Sequence, residues 1–301
     1  MKYNHLSQYP MIFQKCTGIT VQEFDQVVKV VLPRYEEAEN QRLQHPDRQR
    51  AIGGGHPFEL DRRDQVLLTI VWLRLYPIHE VLGYLFGISD STVSRLIGRV
   101  LPLLEQAGRD TMRLPDPGKK QRRQMSDLLR DIPELVVVVD SFEQRVQRPP
   151  HDNSHFSGKK KQNTLKSQVA VDGQSGRIVD TSASVPGPIP DLTLLKQSQV
   201  LSRLPPGWGA VGDLGYLGMD KLHPLAFIPR RKPRGQPRPD ADRPYNAAFA
   251  AFRVIVEHTI GRMRRFQSLT QMDRNHRRHH TARVAAVAGL VNRQPIFRST
   301  C

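Results

Sequence analysis

The chain has 301 residues, with 45 Lys and Arg against 29 Asp and Glu for a net charge of +16, and only 2 cysteines. That length supports about two domains of ~100–200 residues with cores of their own, which excludes a small scaffold stapled by disulfides or metal. A field of this sign concentrates polyanions, so nucleic acid is the first partner class to consider; the plainer alternative is charge that serves solubility alone.

The first residues, MKYNHLSQYPMIFQK, carry no apolar run long enough for a signal peptide. Cys16, just beyond, and Cys301, the last residue, match no metal-ligand spacing and read as incidental thiols of a reducing compartment. Val21 to Asn40 is a helix: Val21, Phe24, Val27, Val28 and Val31 recur at spacings of three and four until Pro33 interrupts. Thr20 and Glu23 have the spacing of a capping box. The polar stretch around Gly53-Gly54-Gly55 reads as a linker or exposed arm, because no strand precedes the glycines and no Gly-Lys-Ser/Thr follows, as a phosphate-cradling loop requires.

Three helices come next: Asp61 to Tyr76, stopped by Pro77; Ile78 to Phe86, ended by Gly87; and a third from Ser89 or Asp90 to about Gln106. In the third, Val93, Leu96, Ile97 and Val100 form an inward face, and Ser91, Thr92, Ser94, Arg95 and Arg99 face away from it. Short helix, glycine turn and capped second helix have the spacing of a helix-turn-helix, whose second helix presents hydroxyl and Arg side chains to base edges in the major groove. An ordinary helical hairpin has the same pattern; the basic context favours DNA. The apolar stretch Val66 to Leu73, like Leu135 to Val139 later, is far shorter than the ~20 residues of a membrane span, so a soluble cytoplasmic chain is expected.

Residues 107–131 are polar and mixed in charge, as at a domain boundary, and beyond them the period changes. Glu134 to Val139 is a short β-branched strand ending in Asp140, and Lys166 to Asp172 and Arg177 to Ser182 flank a four-residue hairpin turn, Gly173 to Gly176. Asp191 to Leu204 reads as helix, Gly209 to Val211 as a brief strand closed by Asp213, and Leu225 to Pro229 as another strand. Two helices finish the chain, Asn246 to Phe266 and Thr281 to Arg293. From Lys221 onward 17 Lys and Arg face four acids, so +13 of the net charge lies in the last 81 residues. Most of these cations are arginine, whose planar fork suits a phosphate backbone.

Three carboxylates stand where apolar structure stops: Asp140, Asp213 and Glu257. A carboxylate at the end of a buried strand costs desolvation unless it is paired or holds a cation. Oxygen donors of this kind suit Mg²⁺ or Mn²⁺, and an ion pair about 3.5–4 Å apart serves phosphoryl transfer. At 100° per residue Arg253, Glu257 and Arg264 fall on one stripe beside the apolar face, which fits a metal-binding Glu flanked by phosphate-binding Arg and equally fits an i, i+4 Arg–Glu pair.

The order and content of several blocks resemble the DDE transposases of bacterial insertion sequences, the group related to the Harbinger nucleases. The resemblance runs from about Phe58 to Asn292 and is carried by DQVLLTIVWLRLYPIHEVLGYLFGISDSTVSRLIGRVLPLLE, VVVVDSFEQRVQRP, HFSGKKKQNTLKSQVAVDGQSGRIVDTSASVPGPIPDLTLL, GDLGYLG, FIPRRKP and RVIVEHTIGRMRRF. It implies an α/β ribonuclease H-like catalytic domain over residues 132–301. Before it come an all-α helix-turn-helix domain over 58–107, a linker over 108–131 and an N-terminal helical segment over 1–57. It also implies the first Asp on the first strand, the second after the fourth, and the Glu on a late helix, which in this chain are Asp140, Asp213 and Glu257.

By the same resemblance these acids hold two Mg²⁺ ions, with Mn²⁺ as a substitute, and carry out end cleavage at terminal inverted repeats followed by 3′-hydroxyl attack on target DNA. Lys159, Lys160, Lys161, Lys166, Arg253 and Arg264 position phosphates, and the helix from Ser91 reads the repeats. The partner is double-stranded DNA, bound by a homo-oligomer at the nucleoid. The chain departs from the family where relatives place an aromatic residue and a Lys, here Ala250 and Arg264, and where they place His-Asp, here Pro190-Asp191. Asp191 is then either a carboxylate supporting the site or, as preferred from the sequence, the N-cap of the following helix. A non-catalytic regulator and a nuclease without strand transfer remain the alternatives on the same residues.

Overall fold

A computed structural model describes residues 1–44, 59–114, 126–147 and 153–294. Gly53 to Gly55, most of the basic linker and Cys301 lie outside the described residues. The chain forms two compact units. Of the described residues, one comprises 1–44, 59–111, 265–269 and 282–294; the other holds 112–114, 126–147, 153–264 and 270–281.

The first unit is helical. Its elements are α1 (Tyr3–Leu6), α2 (Pro10–Thr17), α3 (Val21–Leu43), α4 (Arg62–Leu75), α5 (His79–Phe86) and α6 (Asp90–Arg109). The capping box at the start of α3 is present in both directions: Glu23 N–H donates to Thr20 Oγ1 at 3.2 Å and Thr20 N–H to Glu23 Oε2 at 2.7 Å. Pro33 does not interrupt α3, contrary to the sequence expectation, and the helix continues for 23 residues. A mid-helix proline forfeits one hydrogen bond. Here that loss is offset by burial on both sides of it, at Val27, Val28, Val31 and Tyr35, whose hydroxyl donates to Gln65 Oε1 at 2.6 Å.

Tyr76 in the left-handed region (φ 54°) ends α4, ahead of Pro77, and Gly87 (φ 73°) ends α5. Ser89 caps α6, its Oγ accepting from Thr92 N–H. The turn between α5 and α6 is tight enough that a Cβ on Gly83 would stand 2.5 Å from Ile88 O. Val93, Leu96, Ile97 and Val100 are buried as their spacing required.

The second unit is a mixed α/β domain. Its strands are β1 (Val136–Arg145), β2 (Phe156–Ser157), β3 (Gln162–Asp172), β4 (Ile178–Thr181), β5 (Val185–Pro186), β6 (Gly209–Val211) and β7 (Ala226–Phe227), in the order β2-β3-β1-β6-β7 with β4 and β5 also pairing β3. β1 runs antiparallel to β3 and parallel to β6, and β6 runs parallel to β7. Helix α7 (Asp191–Ser198) is shorter than expected and yields to a 3₁₀ turn at Leu201–Arg203, whereas α8 (Asp242–Met263) starts earlier than expected. The last helix, α9 (His280–Asn292), contributes its residues from Ala282 onward to the first unit.

β1 does not stop at Asp140. The apolar run ends there, but the ladder with β3 continues to Arg145↔Thr164, and Phe142 and Gln144 stay buried. Alternation along a strand sends successive side chains to opposite faces. Val137 and Val139 join Ala170, Leu195, Trp208 and Met219 in one core layer. On the other face a Cβ on Gly173 would lie close to both Val136 and Phe252 of α8. Asp140 thus belongs to the α8 side and Ser141 to the α7 side.

Candidate active site

Asp140 is carried on β1, Asp213 lies two residues beyond the short strand β6, and Glu257 projects from the exposed side of α8. Asp140 Oδ1 accepts from Ser141 N–H at 2.8 Å, and its Oδ2 lies 3.7 Å from an Arg253 guanidinium nitrogen. Burial pushes its carboxyl up to about 6, the charges of Asp213 and Glu257 push the same way, and Ser141 and Arg253 oppose them only in part. Asp213 Oδ1 accepts from Gly215 N–H at 2.8 Å and caps the 3₁₀ turn Leu214–Tyr216. The three acids therefore share one electrostatic neighbourhood although up to 117 positions of sequence separate them.

Arg253 does not form the i, i+4 pair with Glu257 that helix phase allows; among the described residues its ion pair is with Asp140. Its side chain is only 12% exposed and its Nε has no hydrogen-bond partner among the described residues. A cleft of about 300 Å³ is lined by Asp140, Asp191, Glu257, Lys159, Lys160, Lys166 and Arg264, so cations and acids expected from the sequence face one space. Asp213 and Lys161 do not line that cleft; Lys161 is exposed in a left-handed turn (φ 54°).

Lys166 parts company with the other three lysines. It lies within β3, directly opposite Glu143, with its side chain 9% exposed. Its ammonium is 3.0 Å from Asp191 Oδ1, 3.9 Å from Glu143 Oε1 and 2.7 Å from Ile189 O. It lines the same cleft as Lys159 and Lys160, but two of its donors are engaged by Asp191 and Ile189 O. Asp191 is not the N-cap of α7. Pro190 holds that position without a side-chain bond, and Asp191, the first helical residue, accepts from Ser141 Oγ at 2.8 Å.

Tyr216 was not singled out from the sequence. It is 1% exposed, its hydroxyl has no partner among the described residues, and burial, then the charges of Asp140, Asp191 and Asp213, hold the phenol well above its ordinary range. The available signal was its place three residues after Asp213 in Asp-Leu-Gly-Tyr.

Among the described residues no three His, Cys, Asp or Glu side chains stand close enough together to hold a metal ion. The donor chemistry nonetheless fits a hard divalent cation: oxygen donors only, on a buried Asp140 whose carboxyl is raised by that burial and further by the charges of Asp213 and Glu257.

In the helical unit Ser91, Ser94 and Arg95 are exposed on the first turns of α6, and Thr92 and Arg99 are partly so. Arg95 Nε donates to Ser91 O at 3.2 Å and a terminal nitrogen to Thr92 Oγ1 at 3.1 Å, which holds the guanidinium over the helix start. No helix among the described residues is long and apolar enough to cross a membrane.

Comparison with known proteins places these residues in context. A family model described as DDE superfamily endonuclease matches residues 139–292, and one described as helix-turn-helix of DDE superfamily endonuclease matches residues 58–110. The chain is 29% identical over 282 residues, 93% of each chain, to a protein named probable transposase for insertion sequence element IS702 from Microchaete diplosiphon. No solved structure matches it.

Proposed function

Because this chain belongs to the DDE superfamily endonucleases, we propose that it is the DNA transposase of an insertion sequence, cutting at terminal inverted repeats and joining the freed 3′-hydroxyl to target DNA. The single observation that carries this reading is that Asp140 and Glu257 face one cleft with Lys159, Lys160 and Arg264, with Asp213 close enough for its charge to act on Asp140. A ribonuclease H-like fold accords with the sheet. If the two-residue strands β2 and β5 are set aside, Asp140 sits on the first strand and Asp213 follows the fourth, with Glu257 on a late helix.

Asp140, Asp213 and Glu257 would hold two Mg²⁺ ions, with Mn²⁺ as a substitute. The chemistry such ions supply when bound is activation of the attacking oxygen and stabilisation of the leaving one. The chain's own residues do the rest. Lys159, Lys160 and Arg264 seat the phosphate in the cleft, and Arg253 holds the Asp140 carboxylate from the α8 side. In the other unit the start of α6 reads the repeat through Ser91, Thr92, Ser94, Arg95 and Arg99, with base contacts supplying specificity and phosphate contacts affinity. The domain limits proposed from the sequence, an oligomer on paired ends and action on nucleoid DNA in the cytoplasm complete the proposal.

The test is to incubate purified protein and Mg²⁺ with duplex DNA carrying the sequences that flank its own gene, and to map nicks and joined products. End cleavage and joining are expected, and both disappear in Asp140→Ala. Cleavage without joining points to a nuclease, and binding without cleavage to a regulator.

A further inference from the structure

The two aspartates of the site lie on neighbouring strands whose ladder does not reach them. β1 and β6 are last paired at Val138↔Val211, two residues short of both Asp140 and Asp213, and β6 is only three residues long. Backbone hydrogen bonds therefore leave the interval between the two carboxylates open, and something else must set it.

Asp191 bridges that interval. Its Oδ1 accepts from Ser141 Oγ at 2.8 Å, and the N–H of the same Ser141 donates to Asp140 Oδ1 at 2.8 Å. Its Oδ2 lies against Gly215, where a Cβ would stand 2.6 Å from that oxygen and 2.9 Å from Asp213 Oδ1. Gly215 N–H is the donor that holds Asp213. One carboxylate thus rests on the residue that orients Asp140 and on the one that orients Asp213. The Lys166 ammonium, 3.0 Å away and tied to Ile189 O, balances its charge and pins it in place.

The geometry points to Asp191, held by Lys166, as a positioning residue that sets the spacing of Asp140 and Asp213 and through it their affinity for divalent cations. This rests on those two acids being the cation-holding pair. Asp191 faces the same cleft as Asp140 and Glu257, but its Oδ1 is taken by a hydroxyl and an ammonium at bonding distance, which assigns it the positioning rather than the ligating role. Residues that orient ligating carboxylates typically change metal affinity by about 10–100-fold when removed.

The experiment is a titration of DNA-free, full-length protein with Mn²⁺, following the paramagnetic resonance of the free ion, alongside thermal midpoints. The proteins are wild type, Asp191→Ala, Asp191→Asn, Gly215→Ala and Asp140→Ala. Asp191→Ala and Gly215→Ala are expected to weaken Mn²⁺ binding by about tenfold or more. Asp191→Asn, which keeps an oxygen for Ser141, should lose less than Asp191→Ala, and Asp140→Ala should abolish binding. Gly215 is exposed and not at positive φ, so its alanine variant folds even if Asp191→Ala does not. Wild-type affinity in a folded Asp191→Ala overturns the inference, whatever Gly215→Ala does, since a Cβ on Gly215 also meets Asp213; so does a loss in Asp191→Ala as complete as in Asp140→Ala, which makes Asp191 a ligand. Undiminished binding in Asp140→Ala instead removes the cation-holding role of the acids, and the inference falls with it.

Discussion

Arg253 reaches across from α8 to within 3.7 Å of Asp140 Oδ2 on β1, although Glu257 lies one turn away on its own helix. Its guanidinium supplies local positive charge to a cluster of acids, yet burial and the neighbouring charges outweigh it and hold Asp140 up at about 6. The site is assembled around a charge it does not fully neutralise.

Stability should record that imbalance. The folded-state value of Asp140 lies above its ordinary 3.8, so its contribution is fully present below about pH 4 and is lost as pH rises through about 6. Asp140→Asn removes the loss. At pH 7 without divalent cations the variant should be more stable than wild type by about 1–3 kcal/mol, a gain that vanishes toward pH 4. Denaturant melts at the two pH values measure it, and a variant no more stable than wild type at pH 7 would show that the cluster carries no such strain.

Recognition and affinity should separate in the helical unit. Arg95 is exposed at the start of α6, with its guanidinium steadied by Ser91 O and Thr92 Oγ1. Arg95→Ala is expected to cost about 1–3 kcal/mol of discrimination between terminal repeats and random duplex while changing total binding less. Competition gel shifts with the two DNAs decide this; equal losses on both would reduce Arg95 to a backbone contact.

Lys159, Lys160 and Lys166 all line the cleft, but the first two are exposed and Lys166 is buried among acceptors. Lys159→Ala and Lys160→Ala should each weaken binding to every duplex alike and lower the slope of log K against log salt by about 0.9. Lys166→Met should leave that slope unchanged. Salt titrations of the three variants provide the comparison, and an equal effect from Lys166→Met would return it to the phosphate-contacting group.

Two helices of the first unit meet at glycines: a Cβ on Gly289 would collide with Gly108 Cα, and one on Gly108 with Ala285 O. Neither position has room to repack because the obstacle is backbone. Gly289→Ala should therefore destabilise by about 1–3 kcal/mol or more despite alanine's better helix propensity. A thermal midpoint at or above the wild-type value would mean that the helices separate at little cost.

Much of the molecule was legible in local pattern. The capping box at Thr20, the cap at Ser89, the glycine stop at Gly87, the inward face of α6 and the brief strand before Asp213 follow from spacing and from what each side chain does to its own backbone. Three acids at the margins of apolar runs were visible because charge beside a core demands a reason. Tyr216 was not, since a tyrosine next to a glycine carries no such demand until its hydroxyl stands buried without a partner among the described residues.

What the sequence alone determined was therefore local: which segments are helix or strand, where most of them end, where the cations gather, and which acids needed an explanation. Tertiary structure decided the pairings. Register with β3 carried β1 past Asp140 and set Lys166 opposite Glu143; strand alternation turned Asp140 toward α8 and Ser141 toward α7; and the start of α7 brought Asp191 to Ser141 and Lys166. The physical reason is range. Periodicity and capping act within a few residues, whereas ion pairs and burial act between groups that only the assembled sheet and helices bring together, so Arg253 chose Asp140 over its helical neighbour and Asp191 became a brace rather than a cap.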